Sequence, residues 1–182
     1  MRIISGEWKG KKLPAVLPAG VRPTLDAARE TIFNILNNHV EFEGASVCDI
    51  CAGSGALGFE ALSRGAAHVT FVEKNKRVIA VLQANAKSLG VESDRFTIVH
   101  SDAVQFVQQH RGVYGVVFAD PPYAERICNQ IIHGLDTNAM IDEGGVIVAE
   151  HASFETLLLA DDLECFSSRN FGDTVVDFVK RM

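Results

Sequence analysis

The sequence predicts an α/β fold. A mostly parallel sheet of seven strands is covered by helices on both faces, with an antiparallel C-terminal strand and a small N-terminal hairpin extension. Three observations carry this. From Gly44 onward, short apolar runs alternate with helix-length amphipathic segments. The runs are continuously apolar, as in Val113-Tyr114-Gly115-Val116-Val117-Phe118-Ala119, which marks strands buried on both faces. The last two runs are separated only by Asn170-Phe171-Gly172-Asp173, too short for a crossover helix, so they form a hairpin.

At 182 residues, 47% of them hydrophobic and 22% charged, the chain is expected to form one domain. Residues 1–24 make a basic hairpin and loop, and residues 25–182 make the core. Arg2-Ile3-Ile4-Ser5 and Lys11-Lys12-Leu13 are β-like pieces around Gly6 and Gly10. Pro14, Pro18, Gly20 and Pro23 forbid a helix before Thr24 or Asp26, either of which caps the helix running to about His39. Its apolar face is Ala28, Ile32, Phe33, Ile35 and Leu36, and Arg29 and Glu30 read as surface charge. The core then runs as strand 45–50, helix 57–64, strand 68–73, and helix 75–89 closed by Gly90. Strand 96–100, a helix from Asp102 to about His110, strand 113–119 and helix 125–135 follow. Gly144-Gly145 introduces strand 146–150, and strands 163–169 and 174–180 close the chain.

No apolar run approaches the roughly 20 residues that span a bilayer. The first eight residues lack the apolar core of a signal peptide, and with four cysteines this leads us to expect a reducing, cytoplasmic setting. The net charge of −6 is uneven. Arg2, Lys9, Lys11, Lys12 and Arg22 against Glu7 alone give residues 1–24 a net of +4, leaving −10 for the remainder.

Gly53-Ser54-Gly55-Ala56-Leu57-Gly58 fits G-x-G-x-x-G between a strand and a helix, where glycine lets the backbone turn tightly and approach a ligand. Glu73 ends the next strand, where a carboxylate takes ribose hydroxyls. NAD and S-adenosyl-L-methionine both use such a turn. Asp49, at the end of the first strand, repels a pyrophosphate but suits a methionine ammonium. Asp102, after the third strand, is positioned to accept from an adenine amine. These features favour S-adenosyl-L-methionine, with Asp49, Ala52, Gly53, Ser54, Gly55, Glu73, Lys74, Asp102 and Ala103 as the expected cofactor residues. Beyond the fourth strand, Asp120-Pro121-Pro122-Tyr123 offers a carboxylate, backbone carbonyls without competing N–H groups, and an aromatic face. That cluster suits a flat base with an exocyclic amine.

Taken in order, Asp49, Gly53-Ser54-Gly55, Glu73, Ser101-Asp102 and Asp120-Pro121-Pro122-Tyr123 resemble the Rossmann-like class I S-adenosyl-L-methionine-dependent methyltransferases that act on exocyclic amines. Gly6-Glu7-Trp8-Lys9-Gly10-Lys11-Lys12-Leu13, Arg22-Pro23-Thr24, Arg29-Glu30-Thr31-Ile32-Phe33-Asn34-Ile35-Leu36 and Cys51 to Gly65 narrow the resemblance to the RsmD family. Members of that family are bacterial 16S ribosomal RNA guanine-N2-methyltransferases. The resemblance implies a guanine target within a small ribosomal subunit or an assembly intermediate, a monomeric enzyme, no membrane, and positions for Arg22 and Thr24 near the mouth of the site.

The expected catalytic residues are Asp120, Pro121, Pro122 and Tyr123. Asp120 and the Pro121 carbonyl hold the amine, and Tyr123 stacks on the base. Flipping a base out of helical RNA costs a few kcal/mol, of which stacking offsets roughly 1–3. Arg2, Lys9, Lys11, Lys12 and Arg22 are the expected RNA-binding strip on an otherwise acidic body. Alternatives are adenine N6-methylation of DNA or RNA, methylation of a protein glutamine, a non-catalytic RNA- or nucleotide-binding module, and NAD-dependent oxidoreduction. No metal is expected, because Cys48-x-x-Cys51 lacks a second pair at ligand spacing. His151 reads as a surface residue, and the Phe and Met positions read mostly as core.

Overall fold

The computed structural model describes residues 1–14 and 26–182, the side chains of Asp26, Ala27 and Tyr123 excepted. The elements are α1 (Asp26–Leu36), β1 (Ser46–Ile50), α2 (Ala56–Ser63), β2 (His68–Glu73), α3 (Lys76–Leu89), β3 (Phe96–His100), α4 (Ala103–Gln109) and β4 (Tyr114–Ala119). A short 3-10 turn, Tyr123–Glu125, precedes α5 (Cys128–Thr137), and β5 (Ile141–Ala152), β6 (Leu163–Phe171) and β7 (Thr174–Arg181) complete the chain.

The strands form one sheet in the order β3-β2-β1-β4-β5-β7-β6. Every pairing from β3 to β5 is parallel, while β7 runs antiparallel to both β5 and β6. The chain moves outward from β1 to β3 and then restarts on the other side of β1 with β4. The crevice between the carboxyl ends of β1 and β4 is therefore the topological switch point, where open α/β sheets bind ligands.

Each face of the sheet carries its own core. Ile32, Phe33 and Leu36 of α1, Phe59 and Leu62 of α2, and Leu82 and Leu89 of α3 pack on Val47, Val69, Phe71, Val116 and Phe118. Phe106 and Val107 of α4 and Ile131, Ile132 and Leu135 of α5 cover Cys48, Ile50, Val117, Ile147 and Val179 on the opposite face. Alternate residues of the inner strands feed different cores, which is why those strands are apolar throughout.

Gly58 sets how closely α2 lies on the sheet. A Cβ there would come within 2.3 Å of Phe71 Cε1 and 2.9 Å of Val69 Cγ1. The small residue thus lets the helix start sit directly on β2.

Several elements differ from the sequence reading. The N-terminal segment keeps the expected small hairpin, with an antiparallel Arg2–Lys12 bridge, Ile3 N donating to Lys11 O at 2.9 Å and Leu13 N to Met1 O at 3.2 Å, but it is held down from outside its own strands. Buried Ile3, Trp8 and Leu13 anchor it in the core, and side chains of α2 satisfy its backbone. Glu60 Oε2 accepts from Ile4 N at 2.7 Å and Oε1 from Ser5 N at 3.0 Å, and Ser63 Oγ accepts from Trp8 N at 2.9 Å. Arg29 is buried, not surface charge, and its Nη2 donates to the Arg2 carbonyl at 2.6 Å. The α1 helix stops at Leu36 instead of His39. The α5 helix starts at Cys128 because the diproline turn first closes a 3-10 turn, with Glu125 N donating to Pro122 O at 2.9 Å. The β5 strand runs from Ile141 through Gly144 and Gly145, which fall at the register shift between the Tyr114–Ile141 and Val116–Val146 pairs. His151 is buried, its ring nitrogens 3.0 Å from Asp177 Oδ2 and 3.0 Å from the Ala152 carbonyl.

Candidate active site

The glycine turn leaves β1 and bends back over its end. Ala52 N donates to Val72 O of the neighbouring strand at 3.1 Å, and Gly55 N closes the turn onto Ala52 O at 2.8 Å. Gly55 then starts α2 in the left-handed region at φ +78°. A Cβ at Gly55 would lie 2.5 Å from Leu82 Cδ2 and 2.6 Å from Phe59 Cε2, so space as well as conformation requires glycine there. Around a Cβ built on Gly53, by contrast, the nearest atom is Cys51 O at 3.9 Å, which leaves the outer side of the turn accessible to a ligand. The turn is held from behind by buried Asn85, whose Nδ2 donates to Ser54 O at 3.0 Å. The Ser54 hydroxyl meets the Met1 sulfur at 3.7 Å, so the N-terminal segment reaches the same turn.

Carboxylates converge on this turn. Glu73, at the end of β2, accepts from Gly53 N at 3.2 Å and Asn75 N at 2.8 Å. Asp49 is buried, with Oδ2 accepting from Gly58 N at 2.9 Å in the first turn of α2. Burial pushes the Asp49 carboxyl well above the usual carboxylate range, and the charges of Asp120 and Glu73 push it further, against the Gly58 hydrogen bond. The Cys51 thiol is raised for the same reasons, burial first and then Glu73 and Asp120. The crevice therefore carries a negative field that a cation would relieve.

The other expected cofactor residues lie around the same edge. Asp102 caps α4, with Oδ1 accepting from Val104 N at 2.9 Å and Gln105 N at 3.3 Å. Ala103 is the buried first residue of α4. Lys74 is exposed and held by Glu125 at 2.6 Å, which raises its pKa. That ion pair ties the end of β2 to the turn after β4, a connection the sequence reading had not drawn.

Asp120 follows β4 directly, half-buried, with its N–H 3.4 Å from Ile50 O of β1. Pro121 is buried and Pro122 exposed. The carbonyls of this turn are not all open, because Pro122 O accepts from Glu125 N. The 3-10 turn begins at Tyr123, whose side chain lies outside the described residues. Arg22 and Thr24 also lie outside them. Arg2, Lys9, Lys11 and Lys12 are exposed on the N-terminal segment, away from the buried Ile3, Trp8 and Leu13. Lys11 Nζ also donates to Leu89 O at the end of α3, at 3.2 Å.

Among the described residues no group of three or more His, Cys, Asp or Glu side chains is arranged to hold a metal ion. Among them, no helix is long and apolar enough to cross a membrane.

A family model described as Conserved hypothetical protein 95 matches residues 1–180. The chain is 39% identical over 150 residues to the protein named Ribosomal RNA small subunit methyltransferase D of Escherichia coli (strain K12), covering 82% of this chain and 74% of that one. It is 35% identical over 175 residues to the Haemophilus influenzae protein of the same name, covering 94% and 89%. The solved structure of the Escherichia coli protein yhhF matches with a TM-score of 0.86 at 33% identity, covering 100% of this chain and 97% of that one.

Proposed function

The chain belongs to the family described as Conserved hypothetical protein 95, and from that membership and the site's geometry we propose that it methylates the exocyclic N2 amine of a guanine in small-subunit ribosomal RNA. The methyl donor is S-adenosyl-L-methionine. One observation supports this above the rest: the carboxylate-lined glycine turn and the Asp120 turn share one crevice, with Asp120 N 3.4 Å from Ile50 O, next to Asp49. A donor site and an amine-acceptor site then adjoin.

The residues present fit this cofactor. A sulfonium and an ammonium are both cationic, and the charges of Glu73 and Asp120, together with the Asp49 carboxyl that an adjoining cation would ionise, favour them over a pyrophosphate. Glu73 takes the ribose hydroxyls, Asp49 the ammonium end, and Asp102, next to Ala103, the adenine amine. Ala52, Gly53, Ser54 and Gly55 supply the backbone wall, and Lys74 borders the ribose side. When bound, the group supplies an electrophilic methyl.

A guanine amine is a weak nucleophile because its lone pair is delocalised into the ring. Asp120 and the Pro121 carbonyl accept its two N–H groups, which favours a pyramidal nitrogen with its lone pair toward the methyl. Pro122 acts by closing the turn, its carbonyl being occupied by Glu125 N. The amine becomes acidic as the methyl is transferred, and the Asp120 carboxylate is then the adjacent proton acceptor. Tyr123 provides the stacking face. Arg2, Lys9, Lys11, Lys12 and Arg22 bind RNA phosphates. So small a protein has little surface for reading sequence, which favours a 16S RNA–protein particle as substrate. The enzyme works as a cytoplasmic monomer.

The test is transfer of labelled methyl groups to 16S RNA and to small-subunit particles from cells lacking the enzyme, followed by nucleoside analysis. N2-methylguanosine is expected; methyladenosine would overturn the choice of base. Asp120→Ala should bind cofactor normally and lose turnover by at least about 100-fold; near-normal turnover would remove Asp120 from the reaction.

A further inference from the structure

We propose that Phe154 and Arg126 form a stacking platform for the nucleobase adjacent to the methylated one, an inference that rests on the RNA methylation reading. Among the described residues four large apolar side chains are exposed, and Phe154 is the aromatic one, at 68%. Leu158 on the same loop is 73% exposed. Exposure alone means little, since single apolar residues are common on surfaces. The arrangement around Phe154 means more.

The guanidinium carbon of Arg126 lies 5.0 Å from the Phe154 ring centroid. Arg126 occupies the left-handed region at φ +48°, which a non-glycine residue enters rarely and which is enriched at ligand-contacting sites. Arg126 is exposed, so its charge is within reach of a ligand from solvent. The loop carrying Phe154 is braced: Asn129 Nδ2 donates to Thr156 O at 3.0 Å, and Asn129 Oδ1 accepts from Leu158 N at 2.7 Å. Together Arg126, Asn129, Phe154, Glu155 and Thr156 line an open cleft of about 300 Å³.

Position supplies the partner. Arg126 directly follows the 3-10 turn of the Asp120 motif. The β5 strand is paired beside β4 at Ala149–Ala119 and continues to Ala152, so Phe154 emerges beyond the same sheet edge as Asp120. Moving one base out of a strand bares the faces of its neighbours. An aromatic ring with a guanidinium beside it replaces that lost stacking for any base, and the cation suits the adjoining phosphate. A nucleotide satisfies both halves of the pair.

The test is equilibrium binding of protein-free 16S RNA and, separately, of assembled small-subunit particles, with cofactor present, to the wild type, Phe154→Leu and Phe154→Trp. Phe154→Leu should weaken binding about tenfold, and Phe154→Trp should restore it. Cofactor affinity and melting temperature should stay at wild-type values, and in turnover KM should rise with kcat within about twofold. Arg126→Gln should reduce RNA affinity independently of residue 154. Wild-type RNA affinity in Phe154→Leu would overturn the platform, as would a loss that tryptophan does not rescue. A defect confined to assembled particles would reassign this face to a protein partner. If the wild type methylates no RNA, the methylation reading fails, while the binding arm still decides the platform.

Discussion

Asp49 Oδ2 accepts the Gly58 N–H at 2.9 Å, and that bond joins the end of β1 to the first turn of α2. The carboxyl is buried at the positive end of a helix, yet its pKa is raised, because burial and the Asp120 and Glu73 charges outweigh the single hydrogen bond. The cofactor-free protein therefore holds an acid that resists ionising. Below about pH 3.9 the unfolded chain is protonated there too, and the group costs nothing. As pH rises from there toward the raised folded value, the unfolded chain gives up the proton that the folded chain retains, and stability falls. Asp49→Asn keeps an acceptor for Gly58 and removes the titration. It should raise the melting temperature at neutral pH by roughly 2–8 °C, with little change near pH 4, and weaken cofactor binding at least tenfold. An equal or lower melting temperature at neutral pH would show that Asp49 ionises without penalty.

The same shift makes cofactor binding pH-dependent. A cationic ligand beside Asp49 favours the carboxylate, so binding releases a proton wherever the empty site holds one. Affinity should rise with pH across the window between the ordinary carboxylate range and the raised value, and level off above it. Calorimetric titrations in buffers of different ionisation enthalpy should report proton release. Uptake, or no proton exchange in that window, would contradict the assignment of Asp49 to the cationic end.

Glu60 is fully buried and accepts from Ile4 N, Ser5 N and Arg64 Nε at 2.7, 3.0 and 2.9 Å. Glu60→Ala would strand two backbone donors and an arginine, costing about 3 kcal/mol, a fall in melting temperature of roughly 10 °C. Hydrogen exchange should speed up first at Ile4 and Ser5. Uniform acceleration across the sheet instead would mean that the N-terminal segment and the core unfold as one.

The sheet was legible because its signal is local: each apolar run between glycines and prolines is one strand, and the short Asn170–Asp173 link dictates the antiparallel return. The glycine turn, Glu73 and Asp120 were legible because their residue types punctuate strand ends. Arg29 and His151 were misread because helical and strand periodicity report which face a residue is on, not whether another segment covers it. Arg29 is covered by the chain at Arg2, and His151 is met by Asp177 from β7, each far away in sequence. The small N-terminal hairpin was legible from its β-like pieces around Gly6 and Gly10, whereas the hold of Glu60 and Ser63 of α2 on its Ile4, Ser5 and Trp8 N–H groups was not. Lys74–Glu125 and Arg126–Phe154 also join distant segments and leave no periodic trace.

The basic strip gives a graded prediction. Arg2, Lys9, Lys11 and Lys12 are exposed on a segment fixed by buried Ile3, Trp8 and Leu13, so the charges are presented on a rigid support. Replacing the three lysines with glutamine should lower the slope of log affinity against log salt by roughly 1.5–2, at about 0.7 per phosphate contact fully lost on single-stranded RNA. Cofactor affinity should not change. The three should not contribute equally: Lys11 Nζ already spends a hydrogen bond on the Leu89 carbonyl at the C-terminal end of α3, where a cation also steadies the helix. Lys9→Gln and Lys12→Gln should each reduce the slope more than Lys11→Gln, which should instead lower the melting temperature slightly. RNA binding measured between about 50 and 200 mM salt resolves both effects, and a triple variant with the wild-type slope would remove this strip from the RNA interface.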